Sequence, residues 1–200
     1  VQAMPSLATP HTDNAIDLAT AVYVNVLGKK LMNSNPRIKT AVDQWRMEKG
    51  EETSLKSNLA KNQELKDIVL SESPWVNVAK SETEQKQLLA TFFDSNTIDM
   101  RVTSAIKELG KLQNEDGSWS WYPGMKGNSN ITVSVAEMLV RLNKNAGMQK
   151  ETQSMLNKAM DYLNKETVKQ VEKLKEMEKK GQTVNFPGLT TLQILYLNAI

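Results

Sequence analysis

A loop that combines acids with large aromatic rings, KLQNEDGSWSWYPGM at residues 111–125, carries the residue types best suited to chemistry. Glu115 and Asp116 are adjacent carboxylates, and paired carboxylates serve as general acid and base in glycosidases. Three rings that could stack against a sugar follow them: Trp119, Trp121 and Tyr122. The same residues also have a structural use, since Asp-Gly forms tight turns and large rings often pack over helix ends.

We favour the structural use, because neighbouring carboxylates in a turn point apart and neither needs a raised pKa there. An Asp at this place accepts a hydrogen bond from the backbone two residues on. Gly117 follows it and can take a positive φ without a Cβ clash. The sequence therefore predicts a helix-to-helix joint in which Trp121, together with Trp119, is buried and holds helix ends near Leu112 and Asn130.

Other catalytic and metal-binding chemistry has little support in the residue types. The chain has no cysteine, which excludes disulfides, thiol nucleophiles and cysteine metal sites within it. His11 is the one histidine and has no acidic residues at metal-ligand spacing, so we expect an exposed loop residue. The sequence predicts neither a metal site nor a cofactor.

Composition narrows the classes of partner. A net charge of +2 from 25 basic and 23 acidic residues is too small to favour nucleic acid, and no basic stripe alternates with aromatic residues. No apolar run approaches the roughly 18 residues of a membrane span, and no secretory signal pattern is present in these residues. Two hundred residues suit a single domain.

Apolar residues recur at helical spacing along most of the chain, whereas strand patterns are almost absent. The pattern predicts helices at 13–32, 36–50, 81–93, 98–112, 131–142, 151–179 and 189–200, with less regular pieces at 55–59, 64–70 and 73–75. Methionines on the apolar faces are expected to fill the core, namely Met138, Met155, Met160 and Met177. The charged stretch KQVEKLKEMEKKGQ is expected to be a solvated helix face.

The last predicted helix, LTTLQILYLNAI, is apolar on more than one side. Such a helix needs partners on more than one side as well. Either it forms the last layer of the domain, or further helices follow and the domain is incomplete at its C-terminal end.

Long stretches of the chain resemble one known family. AVYVNVLGKKLMNSNPRIKTAVDQW, NLAKNQELKDIVLSESPWVNVAKSETEQKQLLATFFD and LVRLNKNAGMQKET after DGSWSWYPGM are similar to the thioester domain of bacterial α2-macroglobulin-like proteins, in the branch found in Bacteroidetes. The resemblance runs from about Pro5 to Ile200. It implies an all-α fold, an α/α toroid of paired inner and outer helices, within a large exported protein that entraps proteases.

The chain departs from this family at the reactive motif. Family members with intact chemistry carry Cys-x-Glu-Gln, in which the Cys sulfur and the Gln carbonyl join as a thioester. Alignment on the YVNVL helix places the three motif positions on Asn14, Ile16 and Asp17, and all three differ. Without a thiol the thioester cannot form, so TDNAID is expected to be an ordinary helix start with Asp13 or Asn14 as the cap.

Two functional classes follow. The resemblance implies a non-catalytic domain of a periplasmic or cell-surface protein, whose partners are the neighbouring domains of the same polypeptide and proteases held non-covalently. The alternative is an α/α-toroid carbohydrate-active enzyme or sugar-binding domain that uses the Trp119/Trp121 loop. We favour the first, because the sequence has no second acidic and aromatic loop to oppose residues 115–122.

Overall fold

The computed structural model describes residues 3–47, 82–146, 150–183 and 188–200, and within these ranges every regular element is an α-helix. The prediction of an all-α chain is therefore confirmed for the described residues. The helices are α1 (Met4–Leu7), α2 (Ala15–Ser34), α3 (Pro36–Met47), α4 (Glu82–Phe92), α5 (Ser95–Lys111), α6 (Ser129–Ala146), α7 (Lys150–Lys179) and α8 (Leu189–Ala199). None of these helices is long and apolar enough to cross a membrane.

Helix boundaries follow the local sequence closely. Pro36 occupies the first position of α3, where its missing N–H costs nothing. The stretch predicted as one long or kinked helix at 151–179 is the single 30-residue helix α7. The short pieces predicted at 55–59, 64–70 and 73–75 lie outside the described residues. The sequence also predicts that Gly50 and Gly147 end helices and that Ser81 caps one, and these three residues lie outside the described ranges as well.

The chain divides into two compact units, of which the first comprises Val1–Ser6 and Gly28–Ile98. In this unit α3 packs against α4. Arg46 links them, since its guanidinium donates to the carbonyl of Ala90 at 3.3 Å and lies 3.8 Å from the carboxylate of Asp94. Phe92 and Phe93 are both buried, with ring centroids 4.8 Å apart in an edge-to-face arrangement.

The second unit comprises Leu7–Leu27 and Asp99–Ile200, and its centre is the antiparallel pair α6 and α7. Asn143 donates to Gln153 at 3.1 Å at one end of the pair, and Ser129 lies 3.5 Å from the Tyr162 hydroxyl towards the other. Among the described residues of this unit, four polar side chains are fully buried: Asn25, Ser118, Thr132 and Thr152. The buried apolar side chains recur at helical spacing, as Val135, Leu139 and Leu142 do on α6. This periodic burial is what the apolar stripes in the sequence predict.

Helix α8 packs on both α6 and α7. Thr191, Ile194 and Leu197 form its buried face, while its other side exposes a row of large apolar residues: Leu189, Leu192, Leu195 and Tyr196. Asn198 donates to Asn164 of α7 at 2.7 Å and fixes the C-terminal end of α8. The helix thus has one packed apolar face and one exposed apolar face.

Candidate functional site

Asn14, Ile16 and Asp17, the positions that the resemblance predicts as counterparts of the thioester motif, lie at the start of α2. Asn14 is the cap residue: its side-chain oxygen accepts from the backbone N–H of Asp17 at 2.8 Å, and its carbonyl accepts from Leu18 at 3.1 Å. Of the two caps that the sequence allowed, the structure therefore selects Asn14. Asp13 is exposed and precedes the cap.

Asp17 completes the cap from inside the helix. Its carboxylate accepts from both the backbone N–H of Thr12 at 3.1 Å and the Thr12 hydroxyl at 2.7 Å. The amide of Asn14 in turn donates to the same hydroxyl. The arrangement resembles a capping box, in which residues at the cap and three positions later satisfy each other's backbone donors. A carboxylate in the first turn is also favoured by the helix dipole.

These contacts define what the motif positions can do chemically. The side chains at 14 and 17 are brought together, as i and i+3 residues are on a helix. One is an amide and the other a carboxylate, however, and each is committed to capping hydrogen bonds. The half-buried Ile16 between them adds no polar group. None of these three positions carries a thiol, so a thioester cannot form among them.

The acidic turn after α5 is held by Asp116. One of its carboxylate oxygens accepts from the backbone N–H of Ser118 at 3.0 Å and from the Ser118 hydroxyl at 2.6 Å. The turn is closed by backbone bonds from Gly117 to Asn114 and from Asn114 to Ser118, both at 2.9 Å. The turn role predicted for Asp116 is confirmed, including the hydrogen bond to the residue two positions on.

Gly117 has a φ of 89°, so the predicted positive φ is confirmed. A Cβ at this position would lie 2.2 Å from the carbonyl oxygen of Lys158 on α7. The turn therefore docks directly on the α7 backbone, which requires glycine for space as well as for conformation. Gln113 secures the same contact, since its amide donates to the carbonyls of Gly117 and Met155 at 2.9 Å each.

Trp119 is fully buried, as predicted. Its indole N–H donates to the carbonyl of Leu109 at 3.0 Å. That carbonyl lies in the last turn of α5, where carbonyls lack partners within the helix. Its backbone N–H donates to the Thr132 hydroxyl of α6 at 2.9 Å, and its carbonyl accepts from Asn128 at 2.9 Å. One residue thus ties the end of α5 to the start of α6.

The prediction that Trp121 is buried is wrong. Its side chain is 53% exposed, and the Tyr122 side chain is 64% exposed. The Ser120 hydroxyl donates to the Tyr122 carbonyl at 2.7 Å and closes a local turn over residues 120–122.

Sequence reasoning also missed the polar residues that support the loop. Asn128 caps α6 by accepting from the backbone N–H of Asn130 at 2.9 Å and of Ile131 at 3.2 Å. An Asn three residues before the apolar stripe of α6 is a recognisable helix start. Thr132, which accepts from Trp119, had no comparable indicator because its partner lies 13 residues away.

The electrostatics of Asp116 do not suit an acid catalyst. Loss of hydration is the largest single influence on the Asp116 pKa and raises it, but the hydrogen bonds from the Ser118 hydroxyl and backbone outweigh it together and leave the pKa lowered. A general acid at neutral pH needs a raised pKa. The neighbouring Glu115 is exposed, and none of the hydrogen bonds among the described residues involves it.

The remaining candidates are structural or exposed. His11 is exposed, as expected, and no group of three or more metal-ligating side chains occurs among the described residues. Of the methionines predicted to fill the core, Met155 is buried, whereas Met138, Met160 and Met177 are half-buried. The charged stretch at 169–182 is largely exposed on α7 and the following turn, which confirms the solvated face.

Comparison with known proteins does not identify a family for this chain. No family model matches the chain, and neither the curated proteins nor the solved structures contain a significant match. The function must therefore be argued from the residues and the geometry described above.

Proposed function

We propose that this chain is a non-catalytic, thioester-less domain of an exported α2-macroglobulin-like protein. It contributes to non-covalent entrapment of proteases or to the scaffold that holds neighbouring domains in place. It is not an enzyme, and its protein is periplasmic or displayed on the cell surface. The proposal rests on the resemblance of the sequence, and the geometry at the start of α2 is the observation that supports it best.

That observation is the capped helix start at residues 12–17. In a thioester domain this turn must hold a reactive bond between side chains three positions apart. Here Asn14 and Asp17 stand at that separation, but their polar atoms form the cap of α2 instead. These capping hydrogen bonds support the proposal that the turn has lost the thioester chemistry.

The proposed toroid architecture has support from the helical pairs. Antiparallel neighbours such as α6 and α7, joined by short connections and each with one buried face, are the units from which an α/α toroid is built. The Trp119 loop joins α5 to α6 as a connection between successive helices. The exposed apolar face of α8 suits a helix that packs against a further layer.

A second candidate, sugar binding, is favoured by one observation. Trp121 and Tyr122 are neighbouring rings, both more than half exposed, and exposed rings of this kind can stack on sugar faces. Trp119 cannot take part because it is fully buried. Catalysis on a sugar has less support, since Asp116 is engaged by Ser118 and its pKa is lowered.

An entrapment assay distinguishes the two candidates. The protein that contains this chain is mixed with a protease, and activity is measured on a large protein substrate and on a small peptide substrate. Entrapment predicts loss of activity on the large substrate with retention on the small one. Sugar binding predicts no effect on either substrate and calorimetric binding of an oligosaccharide that Trp121→Ala abolishes.

A further inference from the structure

A groove of about 770 Å³ lies between α5 and α7 in the second unit. It is lined by α5 from Thr103 to Gly110, by Gln113 just after that helix, and by α7 from Lys150 to Lys158. Small-molecule sites in proteins commonly measure about 300–1,000 Å³. The groove is separate from the cap of α2 and from the exposed rings of the Trp119 loop, so the proposed function does not use it.

The floor of the groove is apolar and well supported. Ile106 and Met155 contribute buried side chains, and Gly110 between them contributes none. A Cβ at Gly110 would touch only the Met155 sulfur, at 3.5 Å, which is an ordinary contact. The Gln113 amide bonds to the Met155 carbonyl at 2.9 Å and fixes one end of the floor. An apolar group could therefore enter at Gly110 without displacing backbone.

The rim of the groove is positively charged. Lys107, Lys150 and Lys158 line it together with one acidic residue, Glu151. Within the described parts of the chain, none of the three lysines has an ion pair or hydrogen bond through its ammonium group. The whole chain carries a net charge of only +2, so this excess of cations over an apolar floor is local.

We propose that this groove binds a small amphipathic anion, such as a molecule with an alkyl body and a carboxylate head. The alkyl body lies on Ile106 and Met155 over Gly110, and the head lies between Lys107 and Lys158. Most residues that line this groove are polar, and its apolar side chains are Ile106 and Met155, so recognition needs the charged head as well as the alkyl body. The apolar floor provides burial, and the lysines select for negative charge.

Octanoate serves as the probe, titrated into the full chain labelled with nitrogen-15 and followed by two-dimensional NMR. We expect saturable shifts of the amides of Gly110, Ile106 and Ser154. Octanol tests the role of charge and inorganic phosphate tests the role of the alkyl body. Both should bind at least about fivefold more weakly than octanoate, the order expected from losing one exposed charge contact or the apolar contacts.

Two pairs of variants locate the site. The double variant Lys107→Gln/Lys158→Gln should weaken octanoate binding by about fivefold or more. The double variant Lys144→Gln/Lys173→Gln removes the same charge elsewhere and should leave octanoate binding unchanged. Gly110→Leu should abolish binding, because its side chain takes the place of the alkyl body over Ile106 and Met155, while Gly110→Ala should retain it. Neither Gly110 variant should lower the melting temperature, because alanine and leucine favour the helix over glycine.

Several results would overturn the proposal. The proposal fails if octanoate gives no saturable shifts, or if octanol or phosphate binds as tightly as octanoate. It also fails if octanoate still binds to a folded Gly110→Leu variant. An equal loss of affinity in the control lysine pair would show a general charge effect and would likewise contradict a site between Lys107 and Lys158.

Discussion

The indole N–H of Trp119 donates to the carbonyl of Leu109 across 3.0 Å, and this bond closes the C-terminal end of α5 beneath a fully buried ring. Removing the ring leaves both a cavity and an unpaired carbonyl. We expect Trp119→Ala to lower the free energy of unfolding by about 3–5 kcal/mol, the range for deleting a core aromatic residue. Chemical denaturation followed by circular dichroism measures it.

Trp121→Ala is the matched control. It removes the same type of side chain two residues further along the chain, where the ring is 53% exposed. Its cost should stay within about 0.5 kcal/mol, as for most surface substitutions. Equal destabilisation by the two variants would contradict the assignment of Trp119 as the anchor of the loop.

Substitutions at Gly117 and Gly124 distinguish two ways in which a side chain would destabilise this loop, through backbone conformation and through a steric clash. Both have positive φ, at 89° and 79°, but a Cβ meets the Lys158 carbonyl at 2.2 Å only at Gly117. We expect Gly124→Ala to cost about 1–2 kcal/mol from backbone conformation alone. Gly117→Ala should cost about 1–3 kcal/mol more, from overpacking against α7. Similar melting temperatures for the two variants would show that the turn does not dock on α7.

Asp116 should make the stability of the second unit depend on pH. The pKa of Asp116 is lower in the folded state than in the unfolded state. Its stabilising contribution to folding is therefore fully present above the pKa of the unfolded state, and it is lost as the pH falls through the pKa of the folded state. We therefore expect Asp116→Asn to reduce the loss of stability in acid, below about pH 4. Unfolding measured from pH 7 to pH 2 tests this, with Glu115→Gln as the control. If the two variants have the same acid profile, the Ser118 contacts do not hold the carboxylate.

The cap of α2 can be tested at two neighbouring residues. Asn14 accepts from the backbone of Asp17 at 2.8 Å, whereas Asp13 is exposed. Asn14→Ala should cost about 0.5–2 kcal/mol, the usual range for removing a helix cap, and Asp13→Ala should cost almost nothing. The reverse order, measured by thermal unfolding, would place the cap at Asp13.

Local chemistry explains which features could be predicted from the sequence. Asp116 and Asn14 act through residues within four positions, so their roles follow from turn and capping preferences. The positive φ of Gly117 also follows from its place in the turn, whereas its close approach to Lys158 does not. The environments of Trp119 and Trp121 could not be separated in this way. They depend on Leu109 and Thr132, which lie 10 and 13 residues from Trp119.

The groove illustrates the same limit over a longer range. Lys107 and Lys158 line one cavity, but they belong to helices separated by a loop and a complete third helix. Each lysine in its own sequence is an ordinary exposed residue on a helix. Only the folded second unit, in which residues of α5 and α7 line the same groove, places them on one rim.

The central proposal is that residues 14–17 keep the position of a thioester without its chemistry. A denaturing gel tests it most directly. The protein that contains this chain is incubated with an active protease, boiled in detergent and examined for a species larger by the mass of the protease. Our account predicts no such species, whether the domain contributes to entrapment or only to the scaffold, since residues 14–17 contain no thiol that could form a thioester. A detergent-resistant conjugate that mass spectrometry maps to residues 13–17 would contradict it.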